Sequence, residues 1–87
     1  MRLPSQLRSL VGGVGEVPVE AATVREAIVA VDTAFPGIAV RVLDDRGALR
    51  RFVNVFVADE DIRFLDGLDT ALDAGQTVSL VPAVAGG

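Results

Sequence analysis

The residues best suited to chemistry stand at the end of the chain, where Thr77-Val78-Ser79-Leu80-Val81 runs into Pro82, Ala83, Val84, Ala85, Gly86 and Gly87. Glycine has no Cβ, so a Gly-Gly end is thin enough to enter another protein's active site and lets backbone approach backbone closely. A terminal carboxylate is ionised at neutral pH and is a poor electrophile until something activates it. The chemistry this end invites is acyl transfer, with Gly87 carrying the reacting carboxyl and the small residues before it forming a thread. Few other reactive groups exist. The chain has 87 residues with no histidine and no cysteine. That removes Ser-His and Cys-His nucleophile pairs, metal sites built on those ligands, and disulfides.

Other charged clusters read as surface. Asp59-Glu60-Asp61 sits in a tight turn, where three consecutive carboxylates cannot converge on one ion, and no spaced calcium loop is present. Asp66, Asp69 and Asp73 read the same way. Arg8, Arg50, Arg51 and Arg63 read as solvated side chains, with pairing to acidic groups on a partner as the alternative. All 8 basic residues are arginine. A bias towards GC-rich codons accounts for this. The functional alternative is that an activated acyl group then meets no internal side-chain amine.

The elements that must hold the thread follow from local signals. Thr23-Val24-Arg25-Glu26 is a capping box, and Val24, Ala27, Ile28, Val31 and Phe35 then share one helical face. Pro36-Gly37 stops that helix. Ile38 to Leu43 is open between a further helical turn and an extended piece. Arg2-Leu3 reads as the end of a short first strand, and Val17 and Val19 as part of a second, with Pro18 suiting an edge. Phe52 to Val57 is a β-rich run, and Ile62-Arg63-Phe64 reads as a short return strand. Thr77 to Val81 is the last strand, with Val78 and Leu80 inward and Val81 outward. One good helix and several strands predict an α+β domain, a mixed sheet with the main helix packed on one face and the other face open.

Length, with 51% hydrophobic residues and a net charge of −4, bounds the class. One small domain is expected, residues 1–82, followed by a flexible tail over 83–87. The acidic balance argues against nucleic acid. No apolar run approaches the ~18 residues of a membrane span, and Pro4 and Gln6 interrupt any signal-peptide core. A cytoplasmic location is expected.

Three stretches together resemble a known family: Pro4-Ser5-Gln6-Leu7-Arg8, the run from Arg51 through Phe52-Val53-Asn54-Val55-Phe56-Val57 to Phe64, and Val81-Pro82-Ala83-Val84-Ala85-Gly86-Gly87. They resemble the ubiquitin-like sulfur carriers of the ThiS/MoaD family, and within it the CysO branch. The resemblance covers nearly the whole chain in order, and its middle and last stretches are the specific ones. Two departures stand out. The first strand starts late compared with the family, and Ala58 stands where the branch often has Asn.

The resemblance implies a β-grasp fold and a carrier, not an enzyme, with no bound cofactor. It implies that an ATP-dependent adenylating partner activates Gly87 and that a sulfur source converts the acyl adenylate to a thiocarboxylate. Cysteine synthesis is the favoured pathway, in which a PLP-dependent synthase accepts the sulfur and a metalloprotease releases the product. The alternatives are sulfur supply to a thiosugar or other secondary metabolite, to molybdopterin or to thiamin, and conjugation to protein lysines as a modifier. It further implies an apolar docking patch beside the tail. Phe56, Ile62 and Val81 are its candidates, continued by Pro82, Ala83, Val84 and Ala85. From the residues alone, Phe52, Asn54 and Phe56 lie on one side of their strand and Val53, Val55 and Val57 on the other. Which side is buried stays open.

Overall fold

Thr23 starts the longest helix as its sequence dictates. Its side-chain oxygen accepts from Glu26 N at 3.2 Å, while the Glu26 carboxylate reaches back to accept from Ala22 N at 2.9 Å. The computed structural model describes residues 1–82. Residues 83–87, and with them the expectations for Ala83, Val84, Ala85, Gly86 and Gly87, lie outside the described residues.

The helices are α1 (Ser5–Arg8), α2 (Val24–Ala34) and α3 (Ile38–Val42). The strands are β1 (Val53–Val57), β2 (Glu60–Asp61) and β3 (Val78–Pro82), and the sheet order is β2-β1-β3. Val24, Ala27, Ile28 and Val31 of α2 are buried. They pack with Val55 and Val57 of β1 and Val78 and Leu80 of β3. This settles the open question of β1: its valines face the helix, and Asn54 and Phe56 face away.

The stretch after Pro36-Gly37 is helical because Gly37 takes φ 113 and the Asp32 carboxylate accepts from Gly37 N at 3.1 Å and Ala39 N at 3.0 Å. Left-handed backbone at that point is open to glycine at little cost. Phe35 does not continue the helical face. It is the C-terminal cap of α2, half-buried against the core.

The first and second strands expected from the sequence are reduced to their pairing residues. Arg2 bridges Glu16 antiparallel and Ser79 parallel. Met1 and Val17 exchange hydrogen bonds, with Met1 N donating to Val17 O at 2.6 Å and Val17 N to Met1 O at 2.8 Å. Leu3 N donates to Gly15 O at 2.9 Å. Arg2 N donates to Val78 O at 2.7 Å and Leu80 N to Arg2 O at 3.0 Å. The full order across the sheet is therefore 15–17, 1–3, β3, β1, β2, a mixed sheet in which the parallel step is central. Val19 lies beyond this pairing, since Pro18 cannot donate to a ladder.

β1 and β2 form a hairpin with Val57 opposite Glu60. Its two-residue loop has Ala58 at φ 50 and Asp59 at φ 70, the left-handed pair of a type I′ turn. Ile62–Phe64 is a 3₁₀ turn, not the return strand expected from its composition. The Asp61 carboxylate accepts from Arg63 N at 2.8 Å and turns the chain out of the ladder.

Candidate functional site

β3 leads the chain to Pro82, which lies opposite Val53 at the start of β1. Hydrogen bonds on a strand alternate between its two neighbours. Val78 O and Leu80 N serve Arg2, so Ser79 and Val81 face β1. The missing N–H of Pro82 then points towards the side of residues 1–3, beyond the last paired residue, where no ladder bond is lost. The chain thus leaves the sheet at a rim where proline is tolerated.

The register gives the open face its rows. Asn54 stands opposite Val81, and Phe56 stands opposite both Ser79 and Asp61. Arg2 extends the second row past Ser79 to Glu16. Residues directly paired across strands project to the same side. The face away from the helix is therefore Glu16, Arg2, Ser79, Phe56 and Asp61 in one row, with Val81 and Asn54 in the next.

Of the candidates named from sequence, the structure places Phe56 and Val81 on the open face, whereas Pro82, paired with Val53, projects to the helix side beside Leu80. Phe56 and Pro82 are half-buried, and Val81 is 42% exposed. Ile62 is a correction: it is 1% exposed and belongs to the core cluster. The 3₁₀ turn rotates it under the sheet, so it offers no surface to a partner. Phe52 also departs from expectation. It lies in the turn before β1 and is 59% exposed, outside the strand that carries Asn54 and Phe56.

The sequence reading missed three features. Arg63 reaches the open face from the 3₁₀ turn, its Nη1 donating to Asn54 Oδ1 at 2.6 Å. A small apolar niche of about 90 Å³ opens beside the chain exit between Pro4 and Leu7 on one side and Val53, Leu80 and Pro82 on the other. Arg41 also lines it. Phe64, next to Arg63, is 86% exposed. The Arg63 contact and the niche have no local sequence signal, because each joins segments brought together only by folding.

Among the described residues, the niche and the other clefts are not lined by convergent reacting groups. Pro82, the last described residue, stands beside a half-apolar sheet face. The Met1 ammonium has its pKa lowered by burial, an effect opposed by nearby Glu16, and it lies at the opposite end of β3 from Pro82. Among the described residues no helix is long and apolar enough to cross a membrane.

The ThiS family model matches residues 1–87. The sulfur carrier protein CysO of Mycobacterium tuberculosis is 41% identical over 87 residues, covering 98% of this chain and 94% of that protein. Small archaeal modifier protein 3 of Haloferax volcanii is 39% identical over 66 residues, covering 76% of this chain and 71% of that protein. A chain in the crystal structure of the Amycolatopsis orientalis BexX/CysO complex superposes with a TM-score of 0.92 at 42% identity, covering 99% of this chain and 96% of that one.

Proposed function

The chain belongs to the ThiS family, and from that premise we propose that it carries sulfur on its C-terminal carboxyl for the synthesis of cysteine. The observation that carries the reading is its 41% identity, over 98% of its length, to a sulfur carrier protein named CysO. The fold is the ubiquitin-like β-grasp shared with CysO, and the chain is a carrier and not an enzyme.

In this reading an ATP-dependent partner forms an acyl adenylate at Gly87 and releases pyrophosphate. Sulfide then attacks the mixed anhydride, AMP leaves, and a thiocarboxylate remains; with a persulfide donor the first product is an acyl disulfide, and a second thiol cleaves its S–S bond to free the thiocarboxylate and form a disulfide. The sulfur is a nucleophile that stays attached to the protein until a synthase accepts it. A PLP-dependent synthase and a product-releasing metalloprotease fit the cysteine route. Phe56 and Val81 supply docking area for the activating partner. ATP and the sulfur source belong to that partner.

The test is an intact mass after incubation with an activating enzyme, ATP and sulfide. The mass should rise by the replacement of one oxygen with sulfur, and the change should vanish when Gly87 is deleted. Gly86→Val should leave the melting temperature unchanged and slow activation, because a β-branched side chain widens and stiffens the thread. An unchanged mass of the parent chain with several activating enzymes of this kind would rule the carrier reading out.

The similarity to an archaeal modifier protein favours conjugation to protein lysines as the second reading. Both begin with the same adenylate and differ in the acceptor. A ladder of lysine conjugates in cell extract, without a thiocarboxylate species, would select it.

A further inference from the structure

Arg41 on α3 and Arg50, Arg51 and Phe52 in the turn before β1 surround an open cleft of about 420 Å³. The Arg50 side chain is laid along α3, with its Nε donating to Val40 O at 3.0 Å. Among the described residues, Arg25 and Arg63 have carboxylates within 4.0 Å, and Arg41, Arg50 and Arg51 have none. Asp44 is the acidic residue lining the cleft. Its Oδ1 accepts from Arg46 N at 2.8 Å and Ala48 N at 3.0 Å, so it is committed to its own turn. Three like charges gathered with no carboxylate within 4.0 Å among the described residues repel one another. They do so in a chain whose net charge is −4.

The cleft lies where the chain leaves the fold. Val53 lines it and stands opposite Pro82, and Arg41 lines both the cleft and the apolar niche beside Pro82. Asp59, Glu60 and Asp61 stand at the other end of β1, where Val57 pairs with Glu60. Charge is thus separated along β1, positive at the exit and negative at the hairpin. Exposed Phe52, and Val40 at 61% exposure, add apolar area at the positive end. A free inorganic anion has no use for that area, whereas a protein surface does.

We propose that Arg41, Arg50, Arg51 and Phe52 form a docking surface for an acidic, partly apolar surface of the protein that receives the C-terminus. This rests on the carrier reading and adds a partner chemistry to it. The separated charge orients the approach, so that the exit end meets the partner first.

The test is an NMR titration of the full chain with a synthetic peptide rich in Asp, Glu and Leu. Amide shifts should concentrate at residues 41 and 50–53 and weaken as salt rises from about 50 to about 300 mM. The exposed double variant Arg41→Glu/Arg51→Glu should melt as the parent does and bind the peptide about tenfold more weakly. Absent shifts, or shifts spread equally to Arg2, Arg8 and Arg46, would overturn the proposal. So would inorganic phosphate moving the same amides at or below the peptide's concentration, which would mark a small-anion site. The titration needs no activation, so its outcome is separate from that of the mass assay.

Discussion

Arg63 and Asn54 are joined across the rim of the open sheet face, and the same guanidinium completes the edge of β1. Nη1 donates to Asn54 Oδ1 at 2.6 Å, and Nη2 donates to Val53 O at 2.8 Å. β2 pairs only with Phe56 and Val57, so it stops short of Val53. Arg63 supplies the donor that a longer β2 would have supplied. It also holds Asn54 flat on the surface proposed to meet the activating partner.

Arg63→Ala should therefore lower the free energy of unfolding by about 1 kcal/mol, the range for exposed hydrogen bonds from a charged donor. Arg63→Lys should recover only part of this, because an ammonium cannot present two parallel donors. Urea unfolding of the three proteins checks both statements. Equal stability of the parent and Arg63→Ala would show the contacts to be neutral.

Phe56→Arg and Val81→Arg should keep the folded circular-dichroism spectrum, since both side chains face away from the helix. Each should weaken binding to an activating enzyme roughly tenfold to a hundredfold, the equivalent of one apolar anchor. Ile62→Arg should instead abolish folding, because it places a charge in the core. Calorimetric binding and far-ultraviolet spectra separate the outcomes.

The hairpin loop holds an alanine where left-handed backbone is required. Ala58→Gly or Ala58→Asn should raise the free energy of unfolding by roughly 0.4–1 kcal/mol, since both residues adopt positive φ more readily. Denaturant midpoints check this, and a decrease for both variants would contradict the turn assignment.

Asp44 gives a pH dependence with a definite sign. Hydrogen bonds from Ala48 N and then Arg46 N, with Arg46 and Arg50 nearby, hold its carboxyl below the ordinary 3.8. A carboxyl with a lower pKa folded than unfolded adds stability that is complete above its unfolded value and disappears as pH falls through the folded one. Melting temperature should fall more steeply for the parent than for Asp44→Asn as pH drops below 3.8. Parallel curves would mean the turn contributes nothing.

What could be read from the chain and what could not divides by range. The capping box of α2 needs only Thr23 and Glu26, so four consecutive residues reveal it. The inward valines of β1 do not announce themselves, because Phe52 and Phe56 make the opposite side of the run apolar as well. Only packing against Ile28 and Val31 selects between them. The resemblance put Ile62 in the docking patch, and one turn of 3₁₀ geometry after Asp61 places it inside. Residues 1–3 and 15–17 carry too few alternating positions to read as complete strands, and the ladder bonds that define them join distant segments. Arg41 could not be grouped with Arg50 and Arg51, because α3 and the turn before β1 meet only after folding. The reading of the chain end rests on residue type and order alone, and residues 83–87 lie outside the described residues.

Both outer edges of the sheet are short. One is the pair Glu60–Asp61 and the other is residues 15–17, where Glu16 carries charge and Pro18 follows at once. A bare edge is what lets one molecule recruit strands from its neighbours into fibres, and charge, brevity and proline each suppress that. For a carrier that visits several enzymes, as proposed above, short charged edges of this kind disfavour polymerisation with itself. In that proposal the faces and the exit of the sheet, and not its sides, are what a partner holds.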